Sequence, residues 1–179
     1  MIPPLPRHIS KAEALSLVAA EAAHLEARFS GCALCASVAA CSEGRDGAVV
    51  LAENAAAIAT LDRFAARPGH VVVVLRRHAE SLAELPWEEY SAVQRLAWEA
   101  SVALQRLLAP VRIYVASLGA ARRIHTSFPH HHVHVIPLGP GGESDRPADV
   151  LTWSHGVHVY ERALATEWAT SLRAAWPSR

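Results

Sequence analysis

The segment TSFPHHHVHVIP, from Thr126 to Pro137, sets four histidines within five positions and runs on into Val135, Ile136 and Pro137. On a strand, alternation puts His130, His132 and His134 on one face and His131, Val133 and Val135 on the other. Such a row of imidazoles has three uses. It can hold a divalent metal, it can form a polar edge strand, or its neutral nitrogens can attack phosphorus. In the last case a nitrogen–phosphorus bond splits one difficult displacement into two easier ones. A metal hydrolase of the His-x-His-x-Asp-His kind needs an aspartate after the second histidine, where Val133 and His134 stand. A cupin-like ligand set belongs to a chain of many short strands, whereas this chain carries three substantial helical patterns. Attack at phosphorus also needs donors for the non-bridging oxygens, and His134, the Ser127 hydroxyl and backbone N–H groups supply them. A second cluster is Cys32-Ala-Leu-Cys35, with Cys41 nearby. Three cysteines, two of them separated by only two residues, suit metal or redox chemistry better than a disulfide framework. By itself that spacing fits a redox pair, half of a zinc site, or coincidence.

The elements that must position these residues are legible from periodicity. Ala14, Leu15, Val18, Ala22 and Leu25 recur at helical spacing from Lys11 to Arg28, which predicts an amphipathic opening helix. The stretch FSGCALCASVAACSEGRDG breaks the period and reads as a loop, and AVVLAEN as a short strand closed by Glu53 and Asn54. In RPGHVVVVLRRH the Pro-Gly pair marks the start of a strand. Its apolar run from Val71 to Leu75 fits burial on both faces, and it delivers His78 just past its end. Steps of three and four from Trp87 to Leu108 predict the longest helix, stopped by Pro110. Two strands follow, VRIYVASLG and HHHVHVIP, joined by the basic loop AARRIHTSFP. Then come the loop LGPGGESDRP, a short strand in GVHVYE, and a closing helix from Arg162 to Trp176.

At 179 residues with 51% of positions apolar, the chain can close one core, which predicts one domain over 1–179. Within it, 1–30 is read as a helical extension, 32–137 as the core, and 138–179 as a terminal loop and helix. Seventeen Lys and Arg balance 17 Asp and Glu, so no net field recruits nucleic acid or anionic lipid. All the cations but Lys11 are arginine, the better residue for forked phosphate contacts, which leaves a small phosphorylated ligand open. No apolar run reaches the roughly 18 residues of a membrane span, and MIPPLPRHISKAEALS lacks the order of a signal peptide, so a cytoplasmic protein is expected.

Three stretches in one order carry a family resemblance. HHHVHVIP fits the His-φ-His-φ-His-φ-φ signature of the histidine triad (HIT) superfamily from His130. GHVVVVLRRHAESLAELPWEE resembles its GHxLVxPKxHxxxLxEL segment, and ENAAAIATLDRFAARPGH resembles the strand and ribose-contacting stretch before it. The likeness spans roughly Cys32 to Pro137. It implies an α+β fold with an antiparallel sheet of about five strands packed with helices, usually doubled into a homodimer. It implies a nucleotide hydrolase or nucleotidyl transferase acting at the α-phosphate of a nucleoside phosphate, a dinucleoside polyphosphate first of all. The alternative is a nucleotide-binding or scaffold protein with vestigial catalysis.

Position by position, the resemblance makes His132 the covalent nucleophile, its ring oriented by a backbone carbonyl. It makes His134 the contact to phosphate and leaving group, and Ser127 a phosphate ligand. Thr126 stands on the nucleotide side where many hydrolytic members have Gln. Asp62, eight residues before His70, matches the acid that accepts from ribose hydroxyls, and His70 a histidine at the edge of that pocket. His131 and Pro129 depart from the family pattern. Branches that include galactose-1-phosphate uridylyltransferase close a zinc site with two such cysteines, a later histidine and the first triad histidine. The resemblance therefore implies a structural Zn²⁺ on Cys32, Cys35, His78 and His130. Trp153, His155 and His158 are further candidates for the site mouth.

Overall fold

The protein is described by a computed structural model covering residues 2–29, 32–42, 49–119, 128–139 and 145–178. In chain order its elements are β1 (Arg7–Ile9), α1 (Lys11–Phe29), α2 (Ala33–Ser42), β2 (Val50–Glu53), β3 (Ala57–Leu61), β4 (Phe64–Ala65) and β5 (Val71–Leu75). They continue with a 3₁₀ turn (Leu82–Glu84), α3 (Trp87–Leu108), β6 (Arg112–Ala116), β7 (His132–Leu138), α4 (Pro147–Leu151), β8 (Val157–Val159) and α5 (Arg162–Ala175).

The valine run of β5 sits in the middle of an antiparallel five-stranded sheet of order β2-β3-β5-β7-β6, which is the expected α+β arrangement. Alternation sorts its two faces. Val71, Val73 and Leu75 of β5, with Val133 and Val135 of β7, point to one side and meet Val93, Leu96, Ala97, Ala100 and Leu104 of α3 and Trp168 and Leu172 of α5. Val93, Ala97, Ala100 and Leu104, with Trp168 and Leu172, are among the residues whose three-and-four spacing predicts the helices, and burying each large side chain contributes about 1.5–3 kcal/mol. Val72 and Val74 point the other way, where Ile58 and Val38 of α2 meet them. On that second face the register sets His132 opposite Val74 and His134 opposite Val72.

A second sheet of order β1-β8-β4 ties the first strand to the last. Its strands are two or three residues long, and of them only β8 is anticipated by the sequence. Gly156 makes this sheet possible: its φ is +80°, and a Cβ there would collide with the carbonyl oxygen of Ile9. Gly69, at φ +88°, likewise leaves room for Leu104, Leu108 and Trp168. The segment read as a loop around Cys32 and Cys35 is instead helix α2. Ala33, Ala36, Ala39 and Ala40 are strong helix formers and outweigh the cysteine pair read as punctuation.

Candidate functional site

The histidine row is fixed by backbone carbonyls that cannot donate. His132 Nδ1 lies 2.6 Å from the His130 carbonyl oxygen, so it carries the proton and leaves Nε2 with a free lone pair. His130 Nε2 donates to the Leu75 carbonyl at 2.7 Å, which turns the His130 Nδ1 lone pair toward the cysteines. His134 Nδ1 lies 3.0 Å from His70 Nε2, and His70 Nδ1 lies 3.1 Å from Asp62 Oδ2. The Ala66 N–H also approaches His70 Nδ1, at 3.3 Å, but the carboxylate is closer and charged and so sets the tautomer. The proton order is therefore Asp62 accepting from His70, and His70 accepting from His134. This leaves His134 Nε2 unprotonated, buried and, among the described residues, without a hydrogen-bond partner.

Burial lowers the pKa of His132, against which the His130 carbonyl and Asp62 act. It lowers His134 well below the usual imidazole range, with His70 and His132 adding to the effect, and it lowers His70 against the pull of Asp62. The rings are neutral near pH 7, the state in which an imidazole can attack or accept a proton.

The second cluster lies at the start of the same row. Cys32 Sγ and Cys35 Sγ are 3.5 and 3.4 Å from His130 Nδ1, and Cys35 Sγ is 3.5 Å from His78 Nδ1. All four ligand atoms fall within 4.8 Å of one another. A tetrahedral zinc with bonds of about 2.3 Å to sulfur and about 2.0 Å to nitrogen separates those atoms by roughly 3.5 Å, so the donor set fits that ion. Both imidazoles are braced from outside, His130 by the Leu75 carbonyl and His78 by Glu80 at 3.7 Å. Burial and the neighbouring Cys32 thiol push Cys35 up to about 11. A dication would reverse that balance by binding the thiolates.

Asp62, His70 and His134 also converge within 4.8 Å. Their contacts form a line of hydrogen bonds through both nitrogens of His70, which explains the convergence without an ion.

A cavity of about 160 Å³ opens onto His132 and His134, with Thr60, Val72 and Val74 as its floor. Its walls include Val18 and Glu21 of α1, Leu34 of α2, Phe128 and Trp153. A larger groove of about 590 Å³ runs between α3 and the Asn54–Ala56 turn, but it has no histidine.

The structure thus assembles Cys32, Cys35, His78 and His130 in one group, and Asp62, His70, His132 and His134 in another. Thr126 and Ser127 lie outside the described residues. His131 points away from the row and is buried, its Nε2 without a partner among the described residues. Trp153 lines the cavity, while the His155 carbonyl receives His8 and His158 faces His8 across β1 and β8. Sequence reasoning missed the α1 wall, because its residues look like the ordinary apolar stripe of a helix. Asp62 holds a further surprise: Oδ1 accepts from the Phe64 N–H at 3.0 Å while Oδ2 holds His70.

Comparison with known proteins agrees with this fold. The model of the HIT domain matches residues 43–140, more than half of the chain. A HIT-like protein from Bartonella henselae, involved in cell-cycle regulation, is similar at TM-score 0.60 and 21% identity, covering 76% of this chain and 92% of that one. A zinc-bound histidine triad family protein from Mycobacterium smegmatis is similar at TM-score 0.62 and 21% identity, with 81% and 92% covered. A diadenosine triphosphate hydrolase from Plasmodium falciparum is similar at TM-score 0.55 and 13% identity, with 70% and 74% covered. No curated protein matches the chain.

Proposed function

Because the chain belongs to the HIT domain family, we propose that it is a nucleotide hydrolase or nucleotidyl transferase working at an α-phosphate through a covalent bond to His132. The observation that carries this reading is the His132 Nδ1–H bond to the His130 carbonyl, which presents Nε2 as a neutral nucleophile. In the first step the Nε2 lone pair forms a nitrogen–phosphorus bond while the bond from phosphorus to the leaving oxygen breaks. In the second, water attacks the same phosphorus, the nitrogen–phosphorus bond breaks, and the water proton passes to His134 Nε2. His70 and Asp62 offset the positive charge that arrives on His134. The hydroxyl of Ser127 and the side chain of Thr126 are assigned to the phosphate and the nucleotide. A dinucleoside polyphosphate is the substrate we favour, in line with the activity named for the Plasmodium protein.

Cys32, Cys35, His78 and His130 would hold Zn²⁺ as a closed structural ion, which would anchor His130, whose carbonyl orients His132. A homodimer is supported by the apolar side chains left in solvent on α3 and beside β6, Trp98 at 61% and Val111 at 74% exposure. Among the described residues, no helix is long and apolar enough to cross a membrane.

The test is single-turnover trapping of radiolabelled nucleotide on the protein. Label is expected on the wild type and absent from His132→Ala, with nucleotide affinity held within about tenfold because the nucleophile acts mainly in the chemical step. Near wild-type turnover by His132→Ala would remove the assignment.

A further inference from the structure

The match to the family model runs over residues 43–140, so α1 and α2 precede it and Trp153 lies beyond its far end. All three nevertheless wall the cavity in front of His132 and His134. The volume they leave, about 160 Å³, is well under the roughly 300–1,000 Å³ of pockets that bury a whole ligand. A nucleoside phosphate therefore meets α1 before it is seated, and the character of that face decides what is admitted. The face is two-toned. Val18 and Ala22 are apolar, while Glu21 brings a carboxylate to the side where Asp62 already stands. Asp62 has each oxygen engaged, one by the Phe64 N–H and one by His70, whereas Glu21 is held by the Arg63 guanidinium at 2.7 Å. Arg63 is 60% exposed, and an ion pair in solvent is readily exchanged for another partner.

We propose that helix α1 is the specificity wall of the site, with Val18 and Ala22 against the base side of the ligand and Glu21 accepting hydrogen bonds from its sugar hydroxyls. This rests on the nucleotide reading above and adds the residue that selects a ribose. Burial raises the Glu21 pKa, Arg63 opposes that, and Asp62 adds to it, as expected for a carboxylate turned toward the cavity. When the ligand enters, Glu21 exchanges Arg63 for the hydroxyls, and α1 shifts outward by the room the base needs.

Binding of adenosine 5′-monophosphate and of its 2′,3′-dideoxy analogue is measured by calorimetry on the wild type, Glu21→Gln and Ala22→Trp. Glu21→Gln is expected to weaken the ribonucleotide about tenfold and the dideoxy analogue by less than about twofold, for a lost charge-assisted bond. Ala22→Trp, which fills the cavity, is expected to weaken both by at least about tenfold. Equal changes for the two ligands in Glu21→Gln, or affinities within about twofold of wild type in both variants, would overturn the proposal. If Ala22→Trp does not fold, Glu21→Gln decides alone, because it is isosteric and partly exposed. A wild type that binds neither nucleotide would instead sink the nucleotide reading itself.

Discussion

Replacing Asp62 by asparagine separates the two chemical steps. Asparagine Oδ1 can keep the bond from the Phe64 N–H, which leaves the amide Nδ2 facing His70 Nδ1 in place of the carboxylate oxygen now 3.1 Å away. An amide nitrogen only donates, so His70 must give up its Nδ1 proton and carry it on Nε2. His70 then donates to His134 Nδ1, and His134 must hold its own proton on Nε2. The group that accepts the water proton is thereby turned into a donor. Loss of a general base slows a step by about 10²- to 10⁴-fold, and loss of the charged bond to His70 costs about 1–2 kcal/mol of stability. His132 keeps its own tautomer, because the His130 carbonyl sets it. Nucleotidyl-His132 is therefore expected to form in Asp62→Asn and to persist, giving close to one label per chain in a trapping assay where wild type shows a transient. Nitrogen NMR should show the His134 proton moving from Nδ1 to Nε2 without any substrate. If the adduct decays at the wild-type rate, or the His134 tautomer is unchanged, the proton order running from Asp62 through His70 to His134 is wrong.

Other perturbations act on separate parts of the structure. Native protein is expected to hold about one Zn²⁺ per chain, and Cys35→Ser to lose it and melt earlier while keeping part of its turnover at low temperature, since His132 is not a ligand; metal analysis beside a melting curve checks this. Stability is expected to depend on pH through His70 and His134, both lowered by burial. The unfolded rings bind protons near pH 6.5 and the folded rings only at lower pH, so stability is complete above about pH 6.5 and falls below it, by up to about 1.4 kcal/mol per pH unit for each ring; denaturant titrations across that range measure the slope, and a flat profile would contradict it. Gly156→Ala is expected to part β1 from β8, because its Cβ would collide with the Ile9 oxygen, and hydrogen exchange at Arg7–Ile9 should rise toward that of an unpaired segment.

Four strands of the central sheet and the helices α1, α3 and α5 are legible in the sequence from their patterns, while β3, between β2 and β5, is anticipated only through the family resemblance. The spacing from Val93 to Leu104 marks α3, and the valine run marks β5. The histidine row is legible too, since alternation dictates that His130, His132 and His134 share a face, whereas the grouping of Cys32, Cys35 and His78 with His130 comes only from the family resemblance. The cysteine helix is not, because two cysteines and flanking glycines look like punctuation while alanines carry no period. The strands β1 and β4 escape for a different reason: two or three residues contain no alternation, and their pairing with β8 is settled by contacts across most of the chain. The line from Asp62 to His134 is also out of reach. Sequence places Asp62 and His70 eight positions apart but says nothing of which ring nitrogen faces which neighbour, and that decides the chemistry.

The pairing of β1 with β8 also sets an order of assembly. His8 meets the backbone at His155, 147 positions later, whereas the neighbouring strands β3 and β5 and the triad strand β7 need only the middle of the chain. Helix α1 packs on the adjacent α2 and pairs Glu21 with Arg63, but the strand ahead of it, β1, finds its partner only once β8 has left the ribosome. Distant contacts of this kind form late because closing a long loop costs entropy before any contact rewards it. The histidine row and the cysteine cluster thus rest on contacts within the middle of the chain, and the β1–β8 pairing that fixes the outer end of α1 comes later.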